Sequence, residues 1–300
     1  MTDETMTAPI GFLGLGGMGL PMARALAESG LEVVAWNRRQ ERTEELVRST
    51  EGDVTAASSP REVSGRAGTV ISMLPDLPPL VDHLDGPDGL LAGWAGRTTG
   101  GAHPLLVVMS TVSPVAVVEL GRRLAGLGVH LVDAPVSGGP DGARDRTLSI
   151  MVGGTSADAG SVAPALGLMG STVRHMGPLG AGSLTKACNQ IVVAATLAGL
   201  GEAVRLARAG GLDLPTLLEI LDGGLAGSTA LRLKGERYLT EDFTGGGSCR
   251  NQLKDLGFVL EAGRHHRVQQ PVSSLTHDLY ARLVAAGFGE LDHSAVVKEL

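Results

Sequence analysis

The period of the hydrophobic pattern changes once along this chain, near Gly177. Before that point, short β-rich runs alternate with helical stretches. The β-rich runs are "IGFLGLG", "LEVVAWN", a short "DVTAA", "TVISMLP", "LLVVMST", "VHLVDAPVSG", "LSIMVGG" and "STVRHMG". The helical stretches include "GLPMARALAESG", "RQERTEELVRS" and "SPVAVVELGRRLAGLG". Strands separated by helices of this length pair in parallel, because each crossover helix covers a face of the sheet. After the glycine- and proline-rich joint "GPLGAG", the pattern is helical to Leu300, and the stretch from Ser183 to Gly211 reads as one long helix. The expected architecture is α/β: a doubly wound parallel sheet over residues 1–177, then an all-α domain over residues 178–300.

Composition narrows the function classes. A formal net charge of -7, with no basic block, argues against nucleic acid as a partner. Cys188 and Cys249 are the only cysteines, too few for a disulfide framework or a CxxC metal site. His265 and His266 are adjacent and diverge on a helix, so no metal site is expected. The start "MTDETMTAP" is acidic and polar, unlike a secretory signal. No apolar run reaches the roughly 18 residues of a membrane span. The expectation is a cytoplasmic protein without membrane or metal.

The turn after the first strand carries chemistry. "GLGGMG" places Gly14, Gly16 and Gly19 in a G-x-G-x-x-G pattern between a strand and a helix, and a second strand ends about twenty residues later. In that context the pattern is a dinucleotide site of the Rossmann type: one glycine for the turn, one for pyrophosphate approach, one for helix packing. Gly17 and Met18 lie in the same turn. The second strand ends in "WNRR". Asn37 carries no charge to repel a 2′-phosphate, and Arg38 or Arg39 can pair with one. An NAD enzyme would usually have a carboxylate there. NADP(H) is therefore expected, with NAD(H) the alternative.

A second feature is "GAGSLTKACNQ", which sets Lys186 at the head of the long apolar helix. A wet lysine whose stem covers apolar surface is the ordinary explanation. Beside a nicotinamide site another applies. Hydride transfer to an aldehyde leaves charge developing on the carbonyl oxygen, and an ammonium group answers it by electrostatics and proton transfer. Apolar walls and the neighbouring Lys254 would ease the loss of that proton. Asn189 lies three residues on, on the same helix face. Asp133, which ends a strand, reads equally as a structural hydrogen-bond partner or a catalytic group.

Four segments together resemble the β-hydroxyacid dehydrogenases, the family of 3-hydroxyisobutyrate dehydrogenase and tartronate semialdehyde reductase. They are "GFLGLGGMGLPMARALAESG", "DAPVSGGPDGARDRTLSIMVGG", "GAGSLTKACNQ" and "KDLGFVLEAG", and the match as a whole runs from about Ile10 to Ser294. The resemblance implies a helical second domain and an active site in the cleft between domains. It implies a catalytic Lys186, and substrate contacts at Ser137, Gly138, Gly139, Asn189 and Gln190. It also implies cofactor contacts at Leu74, Pro75 and Thr111, with Lys254 near the nicotinamide. "GGLAGSTAL", "LDHSAV" and Gln190 are most similar to the tartronate semialdehyde reductase branch. Arg146 departs from the family's usual glycine before "TLS".

These readings converge on an NADP(H)-dependent reductase of a small semialdehyde carboxylate. 2-Hydroxy-3-oxopropionate, reduced to glycerate, is the leading substrate. A 3-hydroxyisobutyrate or other 3-hydroxy acid dehydrogenase is the enzyme alternative. A dinucleotide-binding scaffold without catalysis is the other, and Lys186 speaks against it. The apolar surface of the long helix, with Val192, Val193, Leu197 and Leu200, leads us to expect a homodimer or homotetramer.

Overall fold

The computed structural model describes residues 8–96 and 103–300. The acidic N-terminal segment, read from sequence as no secretory signal, lies outside the described residues. The first strands and helices are β1 (Ile10–Leu13), α1 (Gly19–Glu28), β2 (Val33–Trp36), α2 (Gln40–Arg48), β3 (Val54–Ala56), α3 (Pro60–Arg66), β4 (Thr69–Ser72), α4 (Leu77–Leu84) and α5 (Leu90–Trp94). Next come β5 (Leu105–Val108), α6 (Pro114–Ala125), β6 (His130–Asp133), β7 (Val136–Ser137), α7 (Gly139–Arg144), β8 (Ser149–Gly153), α8 (Ser156–Gly167) and β9 (Thr172–Gly177). Helices α9 (Ala181–Ala209), α10 (Leu214–Gly223), α11 (Thr229–Thr240), α12 (Cys249–His266) and α13 (Pro271–Leu283) complete the chain, with a π-helical turn and a 3-10 segment (His293–Glu299) at its end.

The strand order is β3-β2-β1-β4-β5-β6-β8-β7, with β9 beside β8. From β3 to β6 every pairing is parallel. Strands β1, β2, β4, β5 and β6 are buried on both faces, while the edge strand β3 is not, and consecutive residues of the central strands enter opposite cores. Phe12, Ile71 and Val107 join Met22, Leu26 and Leu166 on one side. Leu13, Val70 and Leu106 join Val63, Leu120 and Leu124 on the other. Burial on both faces is why the strands read as continuous apolar runs instead of alternating ones. The sheet departs from the expected all-parallel form at β8, which runs antiparallel to β6 and β7. Residues 138–148, which join β7 to β8, are too few for a parallel crossover of a dozen or more.

The chain divides into two compact units, one ending at Lys186 and the other spanning Ala187–Leu300. The division falls inside α9, beyond the joint at residues 177–182, because the first turn of α9 is anchored to β6 through Asp133. In the second unit, Ala194, Leu197 and Val204 of α9 pack with Leu231, Leu256 and Tyr280. Among the described residues α9 is the one helix long and apolar enough to cross a membrane, by length and composition alone. Its inward residues are core here.

Candidate active site

Leu13, Trp36, Ser72, Val108 and Asp133 stand in one register row across β1, β2, β4, β5 and β6. The residues that follow them therefore line the carboxyl edge of the sheet. The strand order reverses between β1 and β4, and such a switch point is where doubly wound sheets bind ligands.

The glycine turn lies at this edge. A Cβ on Gly19 would collide with the carbonyl oxygen of Gly14, so only glycine lets α1 close onto the turn. Gly16 and Gly17 are exposed, and a Cβ on either would meet nothing within 4 Å, so the backbone there is open to a ligand's close approach. Met18 is half-buried and packs against the core. The Asn37 Oδ1 accepts the N–H of Leu15 at 3.0 Å, and its Nδ2 donates to the Arg39 carbonyl at 2.9 Å. Asn37 thus clamps the turn to the end of β2. Arg42, which sequence reasoning missed, donates from Nε to the Leu15 carbonyl at 3.2 Å. Arg38 and Arg39 are exposed beside this clamp. The open backbone of the turn fits the close approach of a dinucleotide, and the exposed guanidinium groups lie beside it.

Leu74 and Pro75 follow β4, and Thr111 follows β5. The Ser110 hydroxyl donates to the Leu74 carbonyl, tying the two strand ends together. Trp36 packs edge-on against His83, with ring centroids 4.7 Å apart. Burial, and then the charge of Arg38, hold His83 below the usual imidazole range, while Asp82 opposes them.

Ser137 ends β7 and is half-buried, and Gly138 and Gly139 are exposed at the start of α7. Gly138 has φ +136, a conformation L side chains rarely adopt. Arg146, further along this loop, has φ +57. That explains why a glycine suits the position. The guanidinium there pairs with Glu28 at 2.7 Å and holds the loop against the end of α1.

Asp133 is fully buried. Its Oδ1 accepts the N–H of Gly180 at 2.8 Å and its Oδ2 the N–H of Ser183 at 2.5 Å. It caps α9, satisfying N–H groups that no intrahelical carbonyl can reach. Burial pushes its carboxyl above the usual range, and the Gly180 and Ser183 N–H groups oppose that shift. Of the two roles open to Asp133, the hydrogen bonds support the structural one. One turn beyond Ser183, Lys186 is 7% exposed, which excludes a wet surface lysine.

In the unit after Lys186, Asn189 donates from Nδ2 to the Gln190 Oε1 at 3.0 Å. Gln190 donates from Nε2 to Asp255 at 2.7 Å and to the Gln252 Oε1 at 3.4 Å. Lys254 lies 3.3 Å from Asp255 and over the Phe258 ring. Sequence reading gave Gln252, Asp255 and His293 of this network no role, although Asp255 lies in "KDLGFVLEAG" and His293 in "LDHSAV", because their partners are remote in the chain. No cluster of metal-ligating side chains occurs among the described residues.

A family model for the NAD binding domain of 6-phosphogluconate dehydrogenase matches residues 9–177. Another, for the NAD-binding of NADP-dependent 3-hydroxyisobutyrate dehydrogenase, matches residues 180–300. The chain is 33% identical to 2-(hydroxymethyl)glutarate dehydrogenase of Eubacterium barkeri, over 96% of this chain and 93% of that one. It is 34% identical to 2-hydroxy-3-oxopropionate reductase of Escherichia coli, over 97% and 96%. The solved structure of Mycobacterium tuberculosis 3-hydroxyisobutyrate dehydrogenase with L-serine superposes with a TM-score of 0.82 at 28% identity, over 98% and 99%.

Proposed function

The chain belongs to the β-hydroxyacid dehydrogenase family, NAD(P)-dependent enzymes acting on CH–OH groups, and on that premise we propose that it is an NADP(H)-preferring reductase of a small semialdehyde carboxylate. 2-Hydroxy-3-oxopropionate is the leading substrate. The observation that carries the reading is the burial of Lys186 one turn beyond a helix start that Asp133 holds.

A reduced nicotinamide, when bound, supplies the hydride. The residues of the chain do the rest. The Lys186 Nζ gives a proton to the carbonyl oxygen as charge develops there, and takes it back in the reverse direction. Ser137, with the backbone at Gly138 and Gly139, holds the substrate carboxylate by hydrogen bonds to a charged acceptor. Asn189 supplies a further polar contact, and Gln190 lies behind it. Gly14, Gly16, Gly17, Met18 and Gly19 cradle the pyrophosphate, with Leu74, Pro75 and Thr111 along the same edge. Arg38 pairs with the 2′-phosphate, and the family resemblance gives Lys254 a cofactor contact.

The substrate assignment draws support from the similarity to the Escherichia coli reductase and from "LDHSAV" near the C-terminus. NADPH oxidation against a panel of C3 and C4 semialdehyde carboxylates tests it. Highest kcat/KM for 2-hydroxy-3-oxopropionate is expected, and a preference for another semialdehyde would move the enzyme to that substrate.

The same reading takes the protein as a cytoplasmic homodimer or homotetramer assembled through residues 187–300. Val192, Leu206, Ile220 and Leu275 are exposed there, and an interface between copies would cover such large apolar side chains. Sedimentation showing only monomer at micromolar concentration would end the oligomer proposal.

A further inference from the structure

Helix α4 brings an imidazole to the end of β2, beside the exposed arginines. Asp76 starts the helix, its Oδ1 accepting the Leu77 N–H at 2.7 Å. Leu77, Leu80 and Leu84 then share a core with Trp36, the last residue of β2. His83 comes three residues after Leu80, on the same side of the helix. Its ring meets the Trp36 indole edge-on, with centroids 4.7 Å apart. Trp36 is held in turn by the parallel pairing of β2 with β1, opposite Leu13. The next two residues of the chain are Asn37, whose amide clamps the glycine turn, and Arg38.

Two groups that can carry positive charge lie within reach of one another here. His83 is half-buried, and among the described residues neither ring nitrogen has a hydrogen-bond partner. Arg38 is exposed and, among the described residues, makes no ion pair or hydrogen bond. The charges that reach His83 are those of Arg38 and, on its own helix, Asp82. Asp85, after α4, is paired with Arg123 of α6, and α5, which packs on α4, carries no charged residue. Burial, the largest effect, and the charge of Arg38 hold the imidazole below its usual range, while Asp82 opposes them. An anion seated against Arg38 would offset that repulsion and favour the protonated ring, which carries two N–H donors. Histidine is the side chain whose charge ordinarily changes between about pH 5 and 8.

We propose that His83 is a specificity-determining residue for the cofactor: its imidazolium joins Arg38 in holding the 2′-phosphate of NADP(H), a contribution that grows as pH falls. The inference rests on the proposed reading that Arg38 meets that phosphate. A phosphate monoester is close to dianionic at neutral pH and offers three acceptor oxygens, more than one guanidinium satisfies. Packing against Trp36 keeps the ring near Arg38, where that charge would lie. The sign follows from linkage. A bound phosphate raises the affinity of His83 for a proton, so the proton raises the affinity for the phosphate by the same factor. The contribution is present at pH values where the ring of the complex is protonated, and it is lost as pH rises beyond them. NAD(H) has a hydroxyl in place of the phosphate and gains nothing from the charge.

The test is titration calorimetry of the whole protein with adenosine 2′,5′-bisphosphate and with adenosine 5′-monophosphate, which differ only in the 2′-phosphate. Wild type is compared with His83→Gln and with His83→Phe, which keeps an aromatic ring against Trp36 but no charge, at about pH 6 and about pH 8. At the lower pH both variants should bind the bisphosphate about tenfold more weakly than wild type, the effect of one lost hydrogen bond to a charged group. At the higher pH the three proteins should agree, and binding of the monophosphate should be alike throughout. The phosphate's own protonation near pH 6 weakens all three equally, so proteins are compared at one pH. Arg38→Ala should lose affinity for the bisphosphate at both. Equal losses for the two probes overturn the inference, as does a loss independent of pH or wild-type affinity in His83→Phe. Wild type that binds the two probes equally at both pH values is a different failure, that of the NADP(H) reading, and the inference falls with it.

Discussion

The carboxylate of Asp133 accepts the backbone N–H of Ser183 at 2.5 Å, across 50 residues of sequence, and so joins the end of β6 to the first turn of α9. Lys186 sits one turn further along the same helix. The acidic group that sequence reading left between two roles thus anchors the helix that carries the lysine. Asp133→Ala would leave the Gly180 and Ser183 N–H groups buried and unpartnered, at about 1–3 kcal/mol for each. Denaturant unfolding should show a loss of that size.

The pH dependence of that anchor has a definite sign. Burial raises the Asp133 carboxyl in the folded protein above its unfolded value of 3.8, against the pull of the two N–H groups. Between those two values the folded state binds more protons, so stability falls as pH rises through the window. Its contribution is complete below the unfolded value and is lost as pH passes the raised one. The stability of wild type relative to Asp133→Asn should therefore decline from about pH 4 upward. A gap that widens with pH would mean that the carboxylate is favoured by folding, contrary to this account.

Replacing Lys186 separates catalysis from packing. Lys186→Ala should lower kcat by roughly 10²–10⁴-fold, the usual contribution of a positioned acid–base group, with NADPH affinity little changed. Lys186→Arg should fail nearly as badly, because a guanidinium stays protonated and is larger and planar. Kinetics beside a thermal melt decide the matter. A folded Lys186→Ala enzyme with near wild-type turnover would sink the assignment.

Arg38 bears on cofactor choice. It is exposed at the end of β2, where no carboxylate stands. Arg38→Ala should cost about 10- to 100-fold in kcat/KM with NADPH, the range for a hydrogen bond to a charged group, and little with NADH. Equal losses with both cofactors, or an NADH preference in wild type, would place the 2′-phosphate contact elsewhere.

Within the second unit lies a buried ion pair. Lys234 Nζ is 2.6 Å from the Asp292 carboxylate, which is fully buried and also accepts from the Ser294 N–H and hydroxyl. Burial alone would raise the Asp292 carboxyl; the charge of His293, the Lys234 bond and the Ser294 bonds together hold it below the usual range. Lys234→Met strips the nearest charge partner and should destabilise by about 3 kcal/mol, the low end for breaking a buried pair, because Ser294 and the more distant Arg237 remain. Chemical denaturation at neutral pH measures it. A change under about 0.5 kcal/mol would show that Ser294, with Arg237 at 4.0 Å and His293, suffices without the lysine.

Legible in the sequence were the alternation of strands and helices, the strand–glycine–helix turn, the change to helices after Gly177 and the long helix headed by Lys186, whereas "VHLVDAPVSG", read as one run, is the two strands β6 and β7. The legible features are all local: hydrophobic period and glycine spacing record which face of an element is buried and where a turn must close. Tertiary structure alone decided which groups meet. Asp133 and Ser183, Asn37 and Leu15, and Gln190 and Asp255 are 50, 22 and 65 residues apart. A period carries no information about such partners. Asn37 could be read from its position as a cofactor contact, yet in the fold its amide clamps the glycine turn. Gln190 matched a family position, but only the packing of α9 against α12 shows that both ends of its amide are engaged. The antiparallel turn of β8 was equally invisible, since its apolar pattern fits either direction and the short connection decided it. A buried polar atom must find its hydrogen bond wherever the packed chain brings a partner, and that location exists only once the chain has folded.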